Sequence, residues 1–227
     1  MRWADARQKR RVPLSSRPLG QPRYRGEVIR APIFVTGVSC VGKTTIGARL
    51  AELLGCQFFD LDHEVEDFFG TKIGRLQSRF LTIHSFREEA AKALIHLLSH
   101  PNRRDCVIAL PPSGLMGAYL RVVRRAGGIT VVLNDKPENI VERLRFYDID
   151  SRPIQKVLTQ DQKRAYLREV KKDITYFRPS YERADLQLDV SGLDPVAAAR
   201  KVKEALEASG VKMGQSRESK PAAARNG

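Results

Sequence analysis

Short apolar runs and longer stretches of helical spacing take turns along most of the chain. Ile33-Phe34-Val35 marks a predicted strand over residues 32–36. The spacing then turns helical from 43 to 54, where Gly55 supplies a C-cap. Gln57-Phe58-Phe59 predicts a second short strand that ends at Asp60-Leu61-Asp62. Two helical pieces separated near Gly70 follow, and then a stronger helix over about 85–98 with apolar positions at Ala90, Ala91, Leu94, Ile95 and Leu98. Residues 106–110 and 129–133 are unbroken apolar runs, the pattern of strands covered on both faces. Between them lies a helix near 115–125, ended by Gly127-Gly128. Further on, 138–146 predicts a helix, 147–158 a polar, proline-bearing loop, and 161–176 a long charged helix stopped by Pro179. Residues 186–190 form the last strand, and Asp194-Pro195 caps and opens a final amphipathic helix to about 208.

Strands alternating with helices call for an α/β fold: a three-layer sandwich around a parallel five-stranded sheet, with helices on both faces. Ligands of such sheets bind beyond the carboxyl ends of the strands. Three segments fall there: the turn after the first strand, Asp60 and Asp62, and Pro111-Pro112-Ser113-Gly114. They are expected to share one cleft.

The first of these turns reads Gly37-Val38-Ser39-Cys40-Val41-Gly42-Lys43-Thr44-Thr45, a G-x-x-x-x-G-K-T pattern between a strand and a helix. That is the phosphate-binding P-loop (Walker A), and it makes a P-loop NTPase fold the expectation. Glycines let the backbone turn its N–H groups onto one anion, and the helix N-terminus adds positive potential. Cys40, Val41, Gly42, Lys43, Thr44 and Thr45 are therefore candidates for holding nucleotide phosphates. Lys43 can reach the β- and γ-phosphates and the Thr44 hydroxyl can ligate Mg²⁺. The motif does not say what becomes of the phosphate.

Asp60 and Asp62 follow the second strand directly. If the segment stays extended, both carboxylates point to one side, one toward Mg²⁺ and the other toward an acceptor hydroxyl. The plainer alternative is a helix N-cap. Arg87, near the start of a helix, opposes the helix dipole unless it has an anionic partner. That partner is either a bound carboxylate or an acid one turn away. Arg143, Arg145 and Arg152 flank or lie in the loop, which reads as a mobile lid able to swing Arg152 onto the phosphates; a solvated basic face is the alternative.

Composition narrows the setting. The chain has 227 residues and a formal net charge of +14, and the length suits one domain with tails. Residues 1–30 hold nine basic side chains against two acidic, and 211–227 hold four against one. We read 1–30 as a disordered basic arm, with a transit peptide as the alternative, 31–209 as the folded domain and 210–227 as a disordered tail. No secretory or membrane-spanning pattern is visible and the three cysteines, Cys40, Cys56 and Cys106, form no framework, so a cytoplasmic protein is expected. Basic tails without a stacking motif make nucleic acid an unlikely partner, and a monomer is expected.

The chain from Ile33 to about Leu206 resembles shikimate kinase, a small P-loop metabolite kinase. The resemblance is carried by the P-loop, by Asp60-Leu61-Asp62 with Asp62 nineteen positions after Lys43, by Phe86-Arg87, by Arg152-Pro153 with Arg145 seven residues before it, and by Arg178 ahead of Pro179, Tyr181 and Ala184. It implies ATP-dependent phosphoryl transfer to a hydroxyl of a small carboxylate metabolite, shikimate being favoured. Thr44 and Asp60 would hold Mg²⁺, and Asp62 would orient the hydroxyl and act as base. Arg87 and Arg178 would bind the carboxylate, Lys43 and Arg152 would stabilise the transferring group, and Arg145 would lie beside adenine. A gluconate kinase-like activity is the alternative within the fold, and a nucleotide-binding regulator with nucleic-acid-binding tails the alternative outside it. Three departures touch the acceptor. The family's glycine triplet is replaced by Leu110-Pro111-Pro112-Ser113-Gly114, Ala90 stands where a glutamate is usual, and the segment from Arg152 to Arg178 is long.

Overall fold

Continuous apolar runs can be buried only at the centre of a sheet, and there they lie. In a computed structural model that describes residues 28–29, 31–100, 105–210 and 212–213, every residue of β2 (Ile33–Thr36) and β4 (Cys106–Ala109) is buried, as is all of β5 (Ile129–Asn134) but Asn134. The edge strands β3 (Gln57–Asp60) and β8 (Leu186–Asp189) are only partly covered, and β8 alternates accordingly. The five strands are parallel in the order β3-β4-β2-β5-β8. Leaving β2, the chain crosses to β3 at one edge and later returns to β5 on its other flank. The end of β2 is therefore the switch point at which open sheets form a ligand crevice. The expected five-stranded α/β sandwich is the fold observed.

Helices complete the layers. α1 (Lys43–Leu54) packs on α8 (Pro195–Ala208) and against β2, β3 and β4. α2 (Leu61–Phe69), α3 (Ile73–Gln77), α4 (Ile83–Ser99) and α5 (Gly117–Ala126) pack among themselves. α6 (Pro137–Glu142) lies against α7 (Gln160–Tyr181). Between those two, β6 (Phe146–Tyr147) and β7 (Pro153–Ile154) form an antiparallel hairpin. Val28–Ile29 (β1) pairs in parallel with Lys212–Met213 (β9), so the ends of the expected arm and tail meet. Of residues 1–30 and 210–227, for which disorder is expected, 1–27, 30, 211 and 214–227 lie outside the described residues. Among the described residues no helix is long and apolar enough to cross a membrane.

Several boundaries differ from expectation for local reasons. The helix expected to reach 146 stops at Glu142, because Phe146 pairs with Ile154 across the hairpin. Ile95 keeps helical spacing but is 51 % exposed on the outer face of α4. Pro179 does not stop α7: it sits in the last turn, so its missing N–H costs one helical bond. Tyr181 beyond it is buried and stacks on Phe177.

Candidate active site

The turn after β2 is shaped by backbone conformations that few residues accept. Gly37 has φ 145° and its Cα faces the Leu133 carbonyl so closely that a Cβ would stand 2.5 Å from that oxygen. Cys40 takes a left-handed φ of 60° without being glycine, and Gly42 has φ 109°. Val41 is fully buried beneath the loop, and its N–H reaches the Val38 carbonyl at 3.4 Å. No side chain caps α1 and its first turn holds no acid. The opening N–H groups therefore lack the partner that ordinary helices recruit, the condition for an anion site.

Lys43 folds back over this loop, donating from Nζ to the Val38 carbonyl at 3.1 Å. Burial lowers its pKa, while the carboxylates of Asp62 and Asp60 and the Cys40 thiol oppose the fall. Thr44 donates to Asp60 Oδ2 at 2.6 Å. Asp60 ends β3 and also caps α2, its Oδ1 accepting the Asp62 N–H at 3.0 Å. The N-cap reading of Asp60 is the one observed, made by one carboxylate oxygen, while the other accepts from Thr44. The extended segment expected through Asp62 is not formed: the chain turns helical at Leu61, because the cap satisfies α2 at once. Asp62 stands in the first turn of α2 rather than on the strand. Water reaches its side chain from the open cleft, yet the protein crowded around it raises its pKa to about 6, helped by Asp60 and opposed by Lys43.

A hydroxyl and a carboxylate in contact at the rim of an anion cradle suit Mg²⁺, which takes few protein ligands and completes its shell from phosphate and water. Among the described residues no cluster of three or more His, Cys, Asp or Glu could hold a metal unaided, so Thr44 and Asp60 fit only a metal shared with a phosphate.

Arg87, in α4, is half-buried, and its Nε is sealed from water without a hydrogen-bond partner. The acids that follow it are engaged elsewhere: Glu88 with Arg121 at 2.6 Å and Glu89 with Lys92 at 2.7 Å. The intrahelical pair that would explain Arg87 blandly is absent. A buried, unpaired guanidinium nitrogen is costly in a fold that completes itself, so the position calls for an anion from outside.

The Pro111-Pro112 turn is held by its carbonyls. The Thr36 hydroxyl donates to that of Pro111 at 3.0 Å and the Tyr181 hydroxyl to that of Pro112 at 3.1 Å. Tyr181 also lines a cavity of about 480 Å³ with Val38 of the P-loop, Asp135, Glu182 and Arg178. Arg178 is exposed there, on a cavity whose lining includes neither Asp62 nor Arg87. Arg143 pairs with Asp135 and so matches neither the lid reading nor a solvated basic face, and Arg145 and Arg152 are exposed.

The loop expected to be a lid is docked. Arg75 of α3 grips Asp150 with Nε and Nη2, the second bond being 3.0 Å. Ser151, at φ 59°, donates to Glu66 Oε1 at 2.6 Å, and Lys72 and the Ile73 N–H also bind Glu66. Gly74 admits the backbone of Ile149, whose carbonyl would lie 2.9 Å from a Cβ. The Asp148 carboxylate accepts from the N–H groups of Asp150 and Arg152, fixing the backbone that carries Arg152. None of these partners was singled out in the sequence. Asp150→Ala is expected to raise amide hydrogen exchange across 147–154 by about fivefold, the worth of one good surface pair. Unchanged exchange would show that the pair does not restrain the loop.

Comparison with known proteins sets this site in context. The family model described as Shikimate kinase matches residues 39–207. A protein named shikimate kinase from Moorella thermoacetica is 31 % identical over 176 residues, covering 78 % of this chain and 94 % of its own. Another so named, from Bordetella pertussis, is 32 % identical over 73 % of each chain. Among solved structures, shikimate kinase from Bacteroides thetaiotaomicron aligns with a TM-score of 0.64 at 26 % identity, over 78 % of this chain and 98 % of that one. Shikimate kinase from Acinetobacter baumannii in complex with shikimate aligns with a TM-score of 0.61 at 26 % identity, over 78 % and 93 %.

Proposed function

The chain belongs to the shikimate kinase family, and from that premise we propose that it transfers the γ-phosphoryl group of ATP to a hydroxyl of shikimate. The observation that carries the acceptor side is the sealed, unpartnered Nε of Arg87, which a substrate carboxylate would satisfy. The relative crystallised with shikimate supports the same acceptor.

In this reading the N–H groups of residues 40–45 cradle the phosphates and Lys43 follows charge onto the bridging and γ oxygens. Thr44 and Asp60 would hold Mg²⁺, which neutralises phosphate charge when bound. Asp62 receives the proton of the acceptor hydroxyl as its oxygen bonds to the γ-phosphorus. The bond from that phosphorus to the β-phosphate oxygen breaks, leaving ADP and a phosphate ester. A carboxyl held near 6 is ionised at neutral pH and still basic enough to share that proton. Arg87 and Arg178 orient the carboxylate from the α4 and α7 sides, Arg145 lies beside adenine, and Arg152 enters from the lid.

Purified protein with ATP and Mg²⁺ is expected to release ADP in proportion to shikimate, and Arg87→Ala to raise the shikimate KM by about a hundredfold with the ATP KM unchanged, the loss of one charge-paired contact. No shikimate-dependent release at millimolar concentration, with the protein folded, would overturn the acceptor assignment.

A further inference from the structure

Pro111 and Pro112 occupy the turn from which N–H groups would face the acceptor, and proline has none to give. Their carbonyls are already occupied by Thr36 and Tyr181. The wall of the cleft at the end of β4 therefore offers an acceptor almost no backbone donor. The chain leaves that wall through the turns at Ser113 and Gly114 and enters α5, which places Tyr119 in the first turn of the helix.

Tyr119 is 2 % exposed, and α5 is fixed lengthwise on α4, with Arg121 pinned to Glu88 at 2.6 and 2.8 Å. Its ring is core. Its hydroxyl makes no hydrogen bond with any described residue, yet it is not among the sealed, unpartnered atoms. The phenol oxygen is thus neither bonded to a described residue nor sealed from water. The groups that act on it electrically are Asp62, at the start of α2, and Arg87. Asp62 and Tyr119 stand in the first turns of α2 and α5, and Arg87 lies one turn into α4, the helix that packs on both. A core tyrosine without a hydrogen bond is uncommon, since phenylalanine fills the same space without a group to satisfy.

We propose that Tyr119 determines acceptor specificity, its hydroxyl donating a hydrogen bond to the acceptor molecule where Pro111 and Pro112 can donate none. Burial and the nearby Asp62 charge raise the phenol's pKa, against the pull of Arg87, so it remains a neutral donor across the working pH range. The occupant is a small hydroxy acid: its carboxylate meets Arg87, its reacting hydroxyl meets Asp62, and a second oxygen meets Tyr119. The proposal rests on the phosphotransfer reading and adds a residue to it.

The test uses the full-length chain with ATP, Mg²⁺ and a panel of shikimate, quinate and gluconate. Tyr119→Phe keeps the ring and is expected to raise the KM of the accepted acid about tenfold, the order of one lost hydrogen bond, with ATP KM and melting temperature unchanged. A purely structural tyrosine would move the melting temperature and both KM values together, or none of them. Turnover of an acid whose KM is the same in Tyr119→Phe overturns this proposal alone. Absence of turnover with every acid overturns it together with the phosphotransfer reading. If the variant does not fold, a crystal structure of the wild-type chain with its acceptor decides, supporting the proposal when Tyr119 Oη lies within about 3 Å of an acceptor oxygen and overturning it when no acceptor oxygen lies within reach.

Discussion

Asp62→Asn is expected to lower kcat about a thousandfold, within the range for removing a positioned general base, while the KM for ATP stays at its wild-type value. The pH profile separates a base from a mere contact. Crowding by the protein and the charge of Asp60 put the carboxyl at about 6, and only the ionised form accepts a proton. The wild-type rate should therefore fall tenfold per unit as pH drops below about 6 and level off above it; in Asp62→Asn that limb should vanish. Stability supplies the control. The folded value lies above the ordinary 3.8, so the favourable contribution of the protonated carboxyl is complete below about pH 4 and is lost as pH rises through about 6. At pH 7.5 the amide removes a strained charge, and the melting temperature should hold or rise. Full turnover in Asp62→Asn would remove the residue from the reaction. Lost turnover with a large fall in melting temperature would mean misfolding.

Lys43→Ala should be comparably severe: kcat/KM for ATP is expected to drop by about a thousandfold, the scale of one preorganised donor lost from a site where charge develops. The ammonium sits in the fold of the loop, bonded to Val38 and drawn by Asp60 and Asp62. Its removal leaves those carboxylates without their cation beside the incoming phosphates. The acceptor KM should change little, since nothing on the α4 side depends on Lys43. Lys43→Arg should not rescue activity, because a planar fork does not fit where a compact ammonium is enclosed. Wild-type turnover in Lys43→Ala would overturn the P-loop mechanism, and with it the reading of this cleft as a phosphotransfer site.

The candidate phosphate half of the site is readable because its parts are neighbours in the chain. Gly37, Gly42, Lys43 and Thr44 are set by the strand–turn–helix sequence, and a left-handed turn between two regular elements has few ways to be built. The order of apolar runs made the parallel sheet readable for the same reason. Asp60 and Asp62 stand out as candidates in the sequence, but the extended geometry expected of them does not form. A strand and a capped helix compete for Leu61, and the cap wins because Asp60 satisfies the helix start at once. Pro179 misled in the opposite direction, as burial of Tyr181 carries α7 past a residue that breaks helices in isolation.

The acceptor half shows where local reading stops. Composition does not distinguish Arg87 from other helical arginines; what marks it is that Glu88 and Glu89 are spoken for, one of them by Arg121 thirty-three residues away. Tyr119 looks like any aromatic on a buried face until Asp62 and Arg87 are beside it. Arg75 and Asp150 are 75 residues apart, and Glu66 and Ser151 85. Such pairs arise from the packing of whole helices, in which each side chain's partner depends on the burial of many others. The chain alone therefore specified its strand order of apolar runs, its P-loop and the reaction these favour, because covalent spacing and backbone sterics act over a few residues. Which guanidinium nitrogen was left unpaired, what the 147–154 loop docks on and which buried tyrosine kept an unbonded hydroxyl were decided in three dimensions, because those are properties of packed neighbours that no short window of sequence contains.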